Sequence, residues 1–302
     1  MTDFLSAVGR RLAQQWLALL ALPGLLLLGA VAAGHTLGQH RSLDLSLLTR
    51  AGDQLAAHYQ GRAVPALVAG VAIALAAAAA GVLARGIGTA LQALWLVSIM
   101  PGLAGRLLAA RSRARANEWA EADRRYQAAR QDHAGDQALA ELAGARNRIA
   151  LARPTHPTWM GDRLAAAGSR VYQQYGLDLQ FTWPRLWLLL PELARTEIRD
   201  ARDSFAAAAT LQAWGLLALV VGVLWWPAAV CGAFAGVLGW RRGRAAAAAL
   251  ADLVESTFDL HTRDLAAALG FRAPSDGPLE RIGGSPGVAS GAVINELIRK
   301  GS

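Results

Sequence analysis

Charge is what this sequence is short of. Only 17% of its 302 residues are Asp, Glu, Lys or Arg, while 54% are hydrophobic. A soluble domain carries roughly 25% charged residues. That balance excludes a disordered chain and argues against an ordinary soluble enzyme. Lysine is almost missing: Lys300 is the single one among 30 basic residues. With so much alanine and glycine, the arginine preference has the look of a GC-rich genome. Cysteine is limited to Cys231, so no intrachain disulfide framework is available. Inside an apolar run that thiol acts as a small hydrophobe. There is no Walker A sequence, and Gly86-x-Gly88 has no strand before it to make a dinucleotide fingerprint. The net charge of +8 would suit nucleic acid. No aromatic array for base stacking accompanies the arginines, so no nucleic-acid partner is expected.

What is abundant is uncharged apolar chain. No Asp, Glu, Lys or Arg lies between Leu12 and His40, and the most apolar stretch runs from Trp16 to Gly34. About 20 helical residues cross the roughly 30 Å hydrocarbon core, so residues 16–34 read as a first span. The rival is a secretory signal peptide, with Arg10 and Arg11 ahead of the apolar run and Ala30-Val31-Ala32 as cleavage site. Residues 63–84 read as a second span, rich in small side chains. Ser204 to Trp240 contains 37 residues without a charge, too long for one crossing. Trp225-Trp226-Pro227 sits near its middle, where tryptophan favours the interface and proline can start a helix. This segment is expected to be a hairpin, with spans at 207–224 and 227–240. Gly232 and Gly236 form a small-xxx-small packing pair. Residues 86–104 remain ambiguous between a further span and an interfacial helix, since Pro101 divides them.

The expected fold is therefore all-α: an integral membrane protein with two transmembrane helical hairpins, four spans or five, and a cytoplasmic helical domain between them. The divisions are 1–104 (membrane), 105–203 (cytoplasmic), 204–240 (hairpin), 241–270 (cytoplasmic helix) and 271–302 (tail). With four spans and the N-terminus inside, 27 of the 30 basic residues are inside, and only Arg41, Arg50 and Arg62 are outside. Five spans also leave 27 inside. The expected location is a bacterial cytoplasmic membrane.

In the central region, Trp119, Ala122, Tyr126 and Ala129 repeat at spacings of 3, 4 and 3. Ala134-Gly135-Asp136 then breaks the helix. The pattern reads as a packed helical hairpin or, alternatively, as an intermolecular coiled coil. The tail is expected to be a Gly/Ser/Pro-rich linker over 273–291, then a short apolar face of Val293, Ile294, Leu297 and Ile298. That face reads as a frayed terminal helix or as a docking peptide for this domain or a partner.

Residues 154–191 are the most individual part of the chain. Thr158, Trp159, Asp162 and Arg163 begin one helix, Tyr175 precedes the Gly176 stop, and Trp183, Arg185 and Trp187 follow. These eight side chains are the candidate interaction surface. Thr158 to Leu164, Tyr175-Gly176-Leu177-Asp178 and Trp183-Pro184-Arg185-Leu186-Trp187 resemble a recurring pattern in an uncharacterised family of bacterial multi-spanning membrane proteins, of GC-rich, actinobacterial-like type. The resemblance covers about residues 155–240. It implies the membrane architecture and carries no activity.

Chemistry is hard to find. Asp132, His133 and Asp136 have no second histidine nearby, and His35, His40 and His58 fit no ligand spacing. Ser256, Asp259 and His261 do not converge on a helix. The four spans hold no Asp, Glu, Lys, Arg or His that would mark a transport path. No catalytic residue, metal or cofactor is expected. The expected partners are the lipid bilayer and either a protein partner or a second copy. A membrane-anchored scaffold or signalling component fits best. An oligomeric pore or membrane-perturbing effector, and a transporter or enzyme without a recognisable site, are the alternatives.

Overall fold

The computed structural model describes residues 22–98, 101–270 and 288–299. Alanine and leucine at this density favour helix, and every regular element among the described residues is helical. In chain order these are α1 (Leu22–Leu37), α2 (Leu45–Tyr59), α3 (Ala63–Leu96), α4 (Gly102–Gln131), α5 (Asp136–Ile149), α6 (Trp159–Tyr175), α7 (Leu179–Leu189), α8 (Glu192–Val221), α9 (Trp226–Ala268) and α10 (Val288–Arg299). The chain forms two compact units: residues up to 92 with 206–242, and 93–205 with residues from 243 onward. Helices α3, α8 and α9 contribute residues to both.

The first unit packs by close backbone approach. A methyl group on Gly24 of α1 would collide with the Ala77 carbonyl of α3. On Gly88 of α3 it would lie 3.1 Å from Thr210 of α8. Small residues let helix backbones approach one another closely. The outward surface is strongly apolar. Val64, Leu67 and Leu75 of α3 are 72%, 69% and 66% exposed, and Phe234 of α9 is 70% exposed. Among the described residues two helices, α3 and α8, are long and apolar enough to cross a membrane, and α1 is a shorter apolar helix.

The structure redraws several expected boundaries. Residues 86–104 are not an element of their own. Residues 86–96 continue α3, and α4 starts at Gly102, after Pro101. No proline interrupts the helix across Arg85, so it runs on to Leu96. Nor are residues 241–268 a separate helix: α9 runs unbroken through Arg241 and Arg242 to Ala268. Residues 16–21 of the first expected span, and 273–287 of the expected linker, lie outside the described residues. The loop after α1 holds α2, a helix the sequence reading did not anticipate. Asp44 caps it by accepting from the Ser46 backbone N–H and hydroxyl. The hydroxyl bond holds the Asp44 carboxyl below its usual range. The cap therefore adds stability above the unfolded carboxylate pKa and loses it as pH falls through the folded one.

A second unforeseen contact closes the hairpin turn. The Gln39 amide donates to the Gly222 and Val223 carbonyls at 3.0 and 2.7 Å and accepts from Trp226 N–H at 3.2 Å. Trp225 donates its indole N–H to the Ser42 carbonyl at 2.9 Å. Gln39 thus satisfies backbone groups that the end of α8 and the start of α9 leave open. Gln39→Ala should lower stability by about 1 kcal/mol, read as a drop in melting temperature in detergent. An unchanged melt would show that the clip adds nothing.

In the second unit α4 and α5 form the hairpin expected from the 119–129 seam. Trp119 donates to the Ala150 carbonyl at 2.9 Å, Arg146 pairs with Asp123 at 2.8 Å, and its guanidinium lies 4.9 Å from the Tyr126 ring centre. The seam is used within the chain, so the coiled-coil alternative loses its contact face.

Candidate functional site

The second unit holds the densest polar chemistry among the described residues, around α6. Thr158 caps α6 by accepting from Gly161 N–H, and Gly176 ends it at φ 67°, a left-handed geometry that suits glycine. Asp178 then caps α7 by accepting from Gln180 N–H. These caps fix a tight α6–α7 corner.

At the start of α6, Asp162 accepts from the backbone N–H groups of Thr155 and His156, both at 2.8 Å, and pairs with Arg115 at 2.9 Å. Arg111 donates to the Pro157 carbonyl. Burial pushes the Arg115 guanidinium below its ordinary pKa, and Asp162 opposes that shift. One carboxylate thus clamps the Thr155–Pro157 loop to α4. The next residue, Arg163, reaches α9. It pairs with the buried Glu255 at 2.7 Å and with Asp252, and Arg170 binds the other oxygen of Glu255. Tyr175 donates its hydroxyl to Asp259. Thr158 donates to the Trp95 carbonyl. The Trp95 ring meets Phe205 at 5.3 Å, and Arg244 sits 4.5 Å from the Trp159 ring centre.

This placement divides the expected interaction surface. Thr158, Asp162, Arg163 and Tyr175 are buried and bonded to other parts of the chain, and Trp159, Trp183, Arg185 and Trp187 are half-buried. Trp183 stacks near Phe258, Trp187 carries Arg199 over its ring, and Arg185 donates to the Phe181 carbonyl. The four buried side chains are committed inside the fold, whereas the four half-buried ones keep part of their surface toward the outside. The glycine pair divides. Gly232 packs on the Gly215 carbonyl and Leu219 N–H of α8, where a methyl group would lie 2.7 Å from each, whereas Gly236 would direct a methyl into open space.

The tail residues fall elsewhere. Ile294 and Ile298 of α10 are buried in the core cluster with Val171, Tyr175, Leu177 and Leu186. Val293 and Leu297 share α10, but their side chains lie outside the described ones. Asn295 donates to the Gly176 carbonyl at 2.6 Å and accepts from Asp178 N–H at 3.0 Å. Arg299 pairs with Asp178 at 3.0 Å above the Phe181 ring. The sequence signal for Asn295 was slight: one amide inside an apolar face.

Among the described residues no group of three His, Cys, Asp or Glu side chains could hold a metal ion. An open groove lies beside the corner, lined by Tyr172, Asp178 and Leu179 among others. Thr182 in α7 is fully buried, and its hydroxyl has no partner among the described residues. Thr182→Val keeps the shape and removes an unpaired polar group, so it should raise stability by about 1 kcal/mol. A fall in the unfolding midpoint would contradict this. Compared with protein-family models, curated proteins and solved structures, the chain matches none.

Proposed function

We propose that the protein is a membrane-anchored scaffold or signalling component, held in the bilayer by two helical hairpins and acting through its cytoplasmic helical unit. The apolar surface of α3 is the observation that carries the membrane reading. Only 11% of its most apolar 18-residue window is buried. In water so much continuous exposed apolar surface would aggregate; in lipid it is the favourable state. The arginine distribution supports an inward-facing second unit, and the resemblance of residues 155–240 to multi-spanning membrane proteins accords with it. The reading gives the second unit no catalysis. Its buried ion pairs instead hold a helical corner on which another helix is read.

Single cysteines test the topology in a Cys231→Ser background. Gly52→Cys on α2 should react with an impermeant maleimide in intact spheroplasts, and Ser169→Cys on α6 only after permeabilisation. Equal labelling of both, or release of the protein by alkaline carbonate, would overturn the reading.

A further inference from the structure

We infer that the α6–α7 corner is a binding site for an amphipathic helix of the Gly291–Ile294–Asn295–Ile298 pattern, filled here by the chain's own α10, and that α10 of a second copy is the partner it fits. The inference rests on the second unit being the interacting part of the protein, and deepens that reading.

Three features give the corner the character of a receptor. Asn295 uses both ends of its amide on main-chain groups, the Gly176 carbonyl and Asp178 N–H, which the end of α6 and the start of α7 leave unpaired. Those atoms stand in the same place in every copy. Gly291 lies so close to the Tyr175 carbonyl that a methyl group would collide with it, so the corner selects glycine at that step. Asp178 and the Phe181 ring then take Arg299 by charge and by cation–π contact. Small residue, apolar anchor, amide, apolar anchor and cation thus follow one another along one face, as in helix-in-groove recognition.

A second copy follows from the chain's own reach. Leu269 and Gly270 close the end of α9 by hydrogen bonds to Leu265 and Ala267, and positions 271–287 then lead to α10. Seventeen residues can span at most about 60 Å, enough to reach a neighbour anchored in the same membrane. Exchange of an identical element between copies costs little, because each contact is replaced by its equal. Residues 288–299 form a 12-residue helix, and helices of that length are marginal alone. The segment holds its shape by docking, in its own chain or in the next.

The test uses full-length chains without Cys231 (Cys231→Ser) and a short bismaleimide. One copy carries Phe181→Cys together with Gly291→Leu, which weakens its own tail. The co-expressed copy carries Arg299→Cys. A cross-linked heterodimer is expected, at least fivefold more abundant than when the acceptor keeps Gly291, and lost when Asn295→Ala is added to the donor. A chain with both cysteines and an intact tail should give a cross-linked monomer. If that monomer forms without any heterodimer, exchange between copies is refuted. If neither forms while both chains remain folded by circular dichroism, the docking site itself is refuted. A heterodimer indifferent to Asn295→Ala would refute recognition of the corner. Cross-linking in detergent proceeds whichever way the protein faces, so this inference and the topology can fail separately.

Discussion

Gly232→Leu should cost about 3 kcal/mol or more, whereas Gly236→Leu should be neutral or slightly stabilising. The two glycines form one sequence motif, yet the structure treats them differently. A methyl group on Gly232 would stand 2.7 Å from the Gly215 carbonyl and from Leu219 N–H, both backbone atoms that cannot swing aside. Overpacking a fitted contact costs about 1–3 kcal/mol even where side chains can adjust; here α8 and α9 must separate. At Gly236 the same substitution meets no atom within 4 Å, and leucine exceeds glycine in helix propensity by roughly 0.8 kcal/mol or less. Melting temperatures of the two variants in one detergent decide the matter. Equal losses would mean that the pair acts as a unit facing another molecule, and would return the glycines to an intermolecular role.

Arg163→Met should be the most damaging single change in the second unit, at about 3–5 kcal/mol. The side chains of Arg163 and Glu255 are only 6% and 9% exposed. Removing the cation leaves a buried carboxylate whose remaining partner, Arg170, is largely in water. Asp252, the other partner of Arg163, is mostly exposed, and its loss should matter far less. Adding Glu255→Leu to Arg163→Met should restore much of the loss, because a well-packed apolar pair often matches a buried ion pair. Denaturant midpoints of the two single variants and the double variant give the coupling directly. If the double variant is no better than Arg163→Met alone, the pair is not the source of the stability.

Local signals in the sequence reached the structure well. Trp225-Trp226-Pro227 marked the turn between α8 and α9, Gly176 marked the end of α6, and Gly135 marked the break between α4 and α5. Each is a backbone effect complete within a few residues. Signals needing a distant partner did not reach it. Arg163 reads as solvated until Glu255, 92 residues later, is placed beside it. Gln39 looks like an ordinary loop amide until the turn 183 residues away presents its carbonyls. The aromatic and charged residues from Thr158 to Trp187 looked like a surface because they are varied and polar. The buried ones are varied because each answers a different partner: Asp162 meets Arg115, Arg163 meets Glu255 and Tyr175 meets Asp259. The choice between Gly232 and Gly236 depends on the rotation of α9, which spacing alone does not define.

The contacts between α8 and α9 fall where side chains are smallest. Ala208 and Gly215 of α8, and Gly222 just past its end, meet Gly239, Gly232 and Ala229 of α9. Backbone meets backbone there, so the fit is set by absent side-chain volume. Only four residues, 222–225, join the two helices, and the Gln39 amide ties that turn down. The hairpin is therefore a joint with one fitted setting: a slide of either helix along the other would strain the turn and break the close contacts together.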